Sequence, residues 1–230
     1  MKKKSNKRKL NIVFFGRKDC NYSKKLISLL KSKSNLTTIL SKKKNEIKNF
    51  DYLLKKKIDY IFCFRSFFII RENLLNHVTH NAINFHPGTP LYRGIGCANF
   101  ALVRKTKKYG STCHLINKKI DGGRIVNVVQ FKIKNINIEQ LLNKTYKVMY
   151  FQAKKIIQNI FKDRSYIKKT LNKKQNFYWS KKLYKRKDLN KLYKINLSIG
   201  PEKLNKILNA TIYKKFKPYI IINKRKLYLG

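Results

Sequence analysis

The sequence predicts an α/β protein, a doubly wound, mostly parallel sheet with a small C-terminal appendage. Three observations predict it. Short strand-like runs recur through the first half, at LNIVFF (10–15), LTTIL (36–40), DYIFCF (59–64) and NAINF (81–85). Stretches with helical spacing lie between them. LNIVFF is continuously apolar with β-branched and aromatic members, as a strand buried on both faces requires. Strands alternating with helices indicate a parallel sheet covered on both sides. Ligands of such sheets sit beyond the carboxyl ends of the strands.

The elements follow in order. Residues 1–8 form a basic tail that solvent should cover. LNIVFF is the first strand, ended by Gly16, and SKKLISLLKSK places Leu26, Leu29 and Leu30 at helical spacing. LTTIL is a second strand, and KNFDYLLKKK reads weakly as a helix. DYIFCF is the third strand, followed by a helix through Arg71 to His77. NAINF is the fourth, and it delivers Asn84 and His86 to a strand end. IGCANFALVRK has helical spacing at Ile95, Phe100, Leu102 and Val103. Gly110 restarts extended structure with STCHLI, and IVNVVQFKI continues it after Gly122-Gly123. Glu139 to Phe161 is the clearest helix, with Leu142, Met149, Ala153, Ile156 and Ile160 mostly on one face. Composition turns polar and basic after Lys162. The predicted division is a tail at 1–8, a catalytic domain at 9–165 and a helix-plus-hairpin subdomain at 166–230. In the latter, Pro201 opens a helix, and YIII and KLYL flank an NKR turn.

Composition bounds the function. The chain carries 56 Lys and Arg against 10 Asp and Glu, a net charge of +46. A polyanion partner is one reading of that excess. The lysines are scattered along the chain, however, beside many Asn, Ile, Tyr and Phe whose codons are rich in A and T. That pattern matches compositional drift, so nucleic acid is allowed but not favoured. A positive surface still attracts anionic small molecules. Cys20, Cys63, Cys97 and Cys113 are widely spaced, form no CxxC, and read as reduced thiols of a cytoplasmic protein. The N-terminus lacks a signal-peptide core, and the run IDYIFCFRSFFII is broken by Arg65 and too short to span a bilayer. No HExxH or similar spacing links the histidines, so no metal is expected.

The chemistry gathers around NAINFHPGTPLYRG (81–94). Taken singly, His86 could be a satisfied loop residue, and Asp121 of KKIDGGRIV could serve only the Asp-Gly turn. His77 and His80 fall at a helix end and loop, and His114 is a weaker candidate. Together the residues say more. Asn84 and His86 alternate on one strand and share a side. The turns at 87–88 and 92–94 build a loop below them, and a carboxylate arrives later on an extended segment. Amide, imidazole and carboxylate are the parts that acyl transfer to an amine needs. The amine is the nucleophile, so no catalytic Ser or Cys is required. Asn and protonated His can donate to an oxyanion. The carboxylate can orient the imidazole, favour its charged form and take the amine's proton.

NFHPG…YRG followed by GSTCHLINKKIDGGRIV resembles the folate-dependent formyltransferases. Their pattern is an N-x-H at a strand end, a YRG-like loop, and a later G-x-T…D-x-G-x-I. Asn84, His86 and Asp121 match the catalytic trio, and Gly110, Thr112, Gly123 and Ile125 the rest. The resemblance covers about two-thirds of the chain and implies a Rossmann-like formyltransferase fold. It implies 10-formyltetrahydrofolate as donor, with the pterin bounded by Phe64, Arg65, Ser66 and Phe67 and by the 116–120 segment, Ile116, Asn117 and Ile120.

Three classes of amine acceptor are compatible with this resemblance. FFGRKDCNYSKK lacks the glycine-rich phosphate loop of the glycinamide ribonucleotide enzymes. The methionyl-tRNA enzymes carry a long C-terminal domain, and the roughly sixty residues here do not read as a many-stranded barrel. The loop HPGTPLYRGIGCANFAL, the segment FYWSKKLYKR and the closing LNATIYKKFKPYIIINKRKLYL resemble the enzymes that formylate nucleotide-linked amino sugars. Asn209 stands where an Arg is common. Gly88, Tyr92, Arg93 and Trp179 (or Tyr178) are assigned to that acceptor, with Arg17 and Lys18 as candidates for its phosphates. A homodimer is compatible with this reading. The alternatives are methionyl-tRNA formylation and a non-catalytic RNA-binding protein on the same scaffold.

Overall fold

The structure, a computed structural model, describes residues 8–42, 49–174 and 176–230. The chain runs through β1 (Leu10–Arg17), α1 (Asn21–Lys31), β2 (Ser34–Ser41), a 3₁₀ turn (Asp51–Lys55), β3 (Ile58–Phe64), α2 (Glu72–Asn76) and β4 (Val78–His86). It continues with β5 (Arg93–Gly94), α3 (Cys97–Val103), β6 (Lys108–Leu115), β7 (Ile125–Lys132), α4 (Ile138–Lys162) and α5 (Tyr166–Leu171). The last elements are β8 (Leu183–Tyr184), α6 (Arg186–Tyr193), α7 (Pro201–Thr211), β9 (Tyr219–Ile222) and β10 (Arg225–Tyr228).

The doubly wound, mostly parallel sheet is present. Six strands lie in the order β2-β1-β3-β4-β6-β7. β1 pairs in parallel with β2 and with β3, and β3 pairs in parallel with β4. The chain therefore leaves β1 first to one side and then to the other, which makes a topological switch point beside it. The register sets Phe15 beside Cys63 and Cys63 beside Asn84, so these strands finish level with one another.

Two compact units divide the chain. One comprises Met1–Phe85, Cys113–Val126 and Ala153–Lys173; the other comprises His86–Thr112, Asn127–Gln152 and Lys174–Gly230. In the first, all seven residues of β3 are buried, which is why its sequence shows no alternation. Val13, Phe15, Ile39, Ile61 and Leu74 share one core cluster with it. Leu26 and Leu30 of α1 are fully buried, each worth about 1.5–3 kcal/mol in removed apolar surface. The second unit has its own core of Tyr92, Ala101, Tyr109, Leu141 and Tyr184. Phe100 stacks on Tyr184 with ring centroids 4.0 Å apart. Asn99 of α3 donates to the Ala210 carbonyl of α7 at 2.6 Å.

Several local expectations change. Gly16 does not end β1, which runs on to Arg17. KNFDYLLKKK yields only the 3₁₀ turn at Asp51–Lys55, and its Lys48 lies outside the described residues. β4 begins at Val78, so His80 belongs to a strand, where its ring meets Tyr60 edge-on at 5.1 Å. On α4, Leu141 rather than Leu142 is fully buried. Segment 166–230 holds α5 and α6 as well as the expected helix and hairpin. That hairpin turns on Asn223 and Lys224, both at positive φ, as a two-residue type I′ loop requires. All four cysteines are free and buried. No helix among the described residues is long and apolar enough to cross a membrane.

Residues 1–7 of the expected basic tail lie outside the described residues, but Arg8 is held in place. Its guanidinium forks onto Asp59 at 2.8 and 3.0 Å, and Asn11 N–H donates to the same carboxylate at 2.7 Å. Asp59 is fully buried near the start of β3. Burial alone would push its carboxyl up, yet the Arg8 fork and the Asn11 N–H outweigh that and hold it below the usual carboxylate range. A depressed folded-state pKa gives stability that is complete above the unfolded value of about 3.9 and is lost as pH falls through the folded one. Asp59→Asn is expected to lower Tm by several degrees at pH 7. The gap to the parent should close below about pH 4, as measured by circular dichroism melts across that range.

Candidate active site

The carboxyl end of β4 carries Asn84 and His86, two residues apart on one strand. His86 is almost wholly buried. Its Nε2 lies 2.8 Å from the Tyr92 carbonyl. A carbonyl can only accept, so Nε2 carries the proton and the tautomer is fixed. Cys97 Sγ sits 3.8 Å from the same nitrogen and donates to the Gly94 carbonyl at 3.3 Å. Trp179 meets the imidazole edge-on at 5.8 Å, and the Arg93 guanidinium lies 5.9 Å from the indole. Arg93 also donates to the Ser180 carbonyl at 3.0 Å, while Ser180 N–H donates to the Pro90 carbonyl at 2.9 Å. These bonds tie the FYWSKK segment onto the HPG…YRG loop. Gly88 is needed beside the ring, because a Cβ there would stand 2.6 Å from His86 Nε2. Tyr92 is itself buried, stacked near Tyr184 and bonded through its hydroxyl to Thr106.

A second cluster joins β4 to β6 and the loop that follows. Asn84 Nδ2 lies 3.1 Å from His114 Nε2, and Asp121 Oδ1 lies 3.6 Å from that same nitrogen. His114 Nδ1 donates to the Leu115 carbonyl at 2.7 Å. In the neutral ring Nε2 is therefore an acceptor and receives the Asn84 amide proton. A second proton on the ring would turn Nε2 into a donor facing Asp121. The pair His114 and Asp121 thus links the amide at the strand end to a carboxylate through one titratable ring.

The loop geometry explains the motif. Leu115 N–H donates to the Arg124 carbonyl at 2.9 Å, which closes residues 116–123 into a compact excursion. Asp121 takes φ 41° at its tip, an uncommon left-handed conformation for a non-glycine residue. A Cβ on Gly123 would stand 1.9 Å from the Leu115 carbonyl oxygen, so the D-x-G glycine lets the loop close on β6. His114 was the weaker candidate in the sequence. The signal that could have promoted it is the T-x-H alternation on β6, which places Thr112 and His114 two residues apart on one strand.

The residues assigned to the pterin scatter in character. Phe64 is fully buried, with its ring 6.2 Å from that of Phe85. Arg65 takes φ 56° and its Nη1 donates to Cys20 Sγ at 3.5 Å. Ser66 Oγ accepts from Phe68 N–H, and Phe67 N–H donates to Ser41 Oγ. The Phe67 ring lies under the Arg17 guanidinium at 4.6 Å, which engages Arg17. Ile116 N–H donates to the Ala82 carbonyl at 2.8 Å, and the Asn117 side chain receives Lys119 N–H. Ile120 is exposed. Among the described residues no group of His, Cys, Asp and Glu could hold a metal.

Asn84 at a strand end, with His114 and Asp121 beside it, stands on a doubly wound, mostly parallel sheet. Residues 10–160 match the formyl transferase family, and the chain belongs to that family. It is 34% identical over 125 residues to the bifunctional polymyxin resistance protein ArnA of Wigglesworthia glossinidia brevipalpis, covering 53% of this chain and 19% of that one. It is 26% identical over 184 residues to the methionyl-tRNA formyltransferase of Finegoldia magna, covering 79% of this chain and 54% of that one. The chain therefore spans about half or less of the length of these two relatives. A sugar N-formyltransferase from Shewanella sp FDAARGOS_354 shares its fold at TM-score 0.69 and 20% identity over 96% of both chains.

The D-x-G geometry yields a stability prediction. Gly123→Ala should cost more than about 2 kcal/mol, because the new carbon meets a backbone carbonyl that cannot swing aside. Gly200→Ala, with nothing within 4 Å of the added carbon, changes only a helix N-cap and should cost less than Gly123→Ala. Urea unfolding of both variants measures the difference.

Proposed function

We propose that the chain transfers a formyl group from 10-formyltetrahydrofolate to the primary amine of a nucleotide-linked amino sugar. The observation that carries this reading is the strand-end cluster of Asn84, His114 and Asp121, with His86 two residues further along β4. The amine nitrogen attacks the formyl carbon, and negative charge grows on the formyl oxygen. Asn84 and His86 donate to that oxygen, the kind of preorganised donation worth about 10²–10³ in rate per donor. Asp121, 3.6 Å from His114 Nε2, takes the proton that the amine loses. His114 holds the Asn84 amide in place. The carbon–nitrogen bond to the donor then breaks, its nitrogen takes up the proton that Asp121 accepted, and tetrahydrofolate is released.

The folate lies against Phe64, Arg65, Ser66 and Phe67 and the 116–120 loop, where backbone groups supply much of the recognition. Gly88, Tyr92, Arg93 and Trp179 serve the acceptor. An indole and a guanidinium beside the imidazole offer a stacking face and an anion contact to a sugar nucleotide. The similarity to a sugar N-formyltransferase supports this acceptor. A second reading, formylation of methionyl-tRNA, is favoured by the Finegoldia magna relative.

Mass spectrometry of products decides between them. A gain of one formyl group on a 4-amino-4,6-dideoxy sugar nucleotide is expected, and a gain on charged methionyl-tRNA alone would replace the first reading by the second. His86→Ala and Asp121→Asn should each lower kcat by about 10²–10³ with the fold retained. Gly88→Ala should cost about 10² through displacement of the His86 ring. Steady-state assays with circular dichroism as a folding check test all three.

A further inference from the structure

A basic cleft of about 490 Å³ opens at the amino ends of β1 and β2, remote in sequence from the motif residues. Five of its eight lining residues are Lys or Arg, namely Arg8, Lys9, Lys33, Lys162 and Arg164. The whole chain has 56 Lys and Arg in 230 residues, about one in four, so the cleft is enriched beyond composition. Its frame is built from the interior. Asp59 holds the Arg8 guanidinium, the Arg8 carbonyl accepts from Arg164, and Tyr60 O–H donates to the Arg164 carbonyl at 3.3 Å. Asp59 and Tyr60 are both fully buried. Among the described residues no carboxylate lies within 4 Å of Lys9, Lys33, Lys162 or Arg164. The carboxyl end of α4 can account for Lys162, since cations favour that end of a helix. The same argument reaches Lys33, just past the carboxyl end of α1, but not Lys9, which precedes β1.

We propose that this cleft binds clustered phosphates, of the kind carried by a nucleoside triphosphate or by inorganic polyphosphate. Four cations without carboxylate partners around one concavity are poorly matched by a single carboxylate. Adjoining phosphates offer several charges and many acceptor oxygens, which suits both the Lys point charges and the Arg fork. The half-buried Phe161 ring on the lining gives a base a face to stack on.

The test titrates the full chain with inorganic tripolyphosphate by calorimetry, in about 0.15 M salt so that diffuse attraction is screened. One saturable site is expected. Lys33→Glu/Lys162→Glu should weaken it by about tenfold or more, the scale of one or more lost charge-assisted bonds. Lys203→Glu/Lys217→Glu, which changes net charge equally at exposed positions elsewhere, should leave it within about twofold. Equal weakening in both variants, or no saturable site in the parent, overturns the proposal. The two ligand sources separate with ATP and Phe161→Ala. An advantage of ATP over tripolyphosphate that this variant removes assigns a nucleotide, whereas equal affinities assign the phosphates alone. Formyl transfer is assayed in parallel and should be unchanged in Lys33→Glu/Lys162→Glu.

Discussion

A strand buried on both faces can offer polar side chains only where it stops, and that constraint organises the site. β3 is apolar and buried from Ile58 to Phe64 apart from Asp59, whose charge is cancelled where it sits. β4 keeps the same discipline at Ala82, Ile83 and Phe85, which are buried, and interleaves Asn84 and His86 as it leaves the sheet. Parallel pairing makes the ends coincide, since Phe15, Cys63 and Asn84 stand in one row. Chemistry at this row needs no cavity carved from the core. It needs only loops that bring further groups to the row, and the 116–123 excursion does so with Asp121 at its tip.

What the sequence made legible tracks how local each determinant is. Continuous apolar runs report burial directly, and β1 and β3 were readable for that reason, whereas the long α4 was readable from apolar residues recurring on one helical face. Motif glycines were readable as motif, but their cause is tertiary. Gly123 is required by the Leu115 carbonyl, eight residues earlier, and Gly88 by the fold of its own loop, which brings the His86 ring and the Tyr92 carbonyl against it. His80 was misplaced because the polar VTHN start of β4 lacks a strand signature; its pairing with β3 makes it one. His114 was undervalued because its importance comes from Asn84, thirty residues earlier, meeting its ring across the sheet. Arg8 looked like tail because nothing in KRKL announces that Asp59, 51 residues on, is waiting in the interior.

The scarcity of carboxylates gives the charge its physical meaning. Ten must serve a chain with 56 cations, and several are placed where one acid satisfies more than one group. Asp59 takes Arg8 and Asn11 N–H together. Asp163 takes Ser165 N–H, the Ser165 hydroxyl and Lys169, and those bonds hold its carboxyl well below the usual range. Asp188 receives Lys185 N–H at 2.7 Å at the start of α6, and that bond lowers its pKa. Acids used this way fix turns and helix starts instead of neutralising the surface. The surface excess is left uncompensated, and its long-range effect is on encounter with anions, sensitive to salt.

The two ends of the sheet consequently differ in kind. Beyond the carboxyl ends of β1, β3 and β4 the polar groups are mixed, with Arg17 and Arg65 as well as the Asn84 amide, the His114 ring and Asp121. At the amino ends of β1 and β2 the exposed groups are almost all permanently cationic. A carboxylate introduced beside those cations would be neutralised, whereas Asp121 sits against a ring whose charge depends on one proton. An acid that is to take a proton during turnover must not be held by a fixed cation, because such a partner lowers its pKa and weakens it as a base. In a chain where about one residue in four is Lys or Arg, Asp121 stands 3.6 Å from a histidine nitrogen, the kind of neighbour that its proposed role as a base requires.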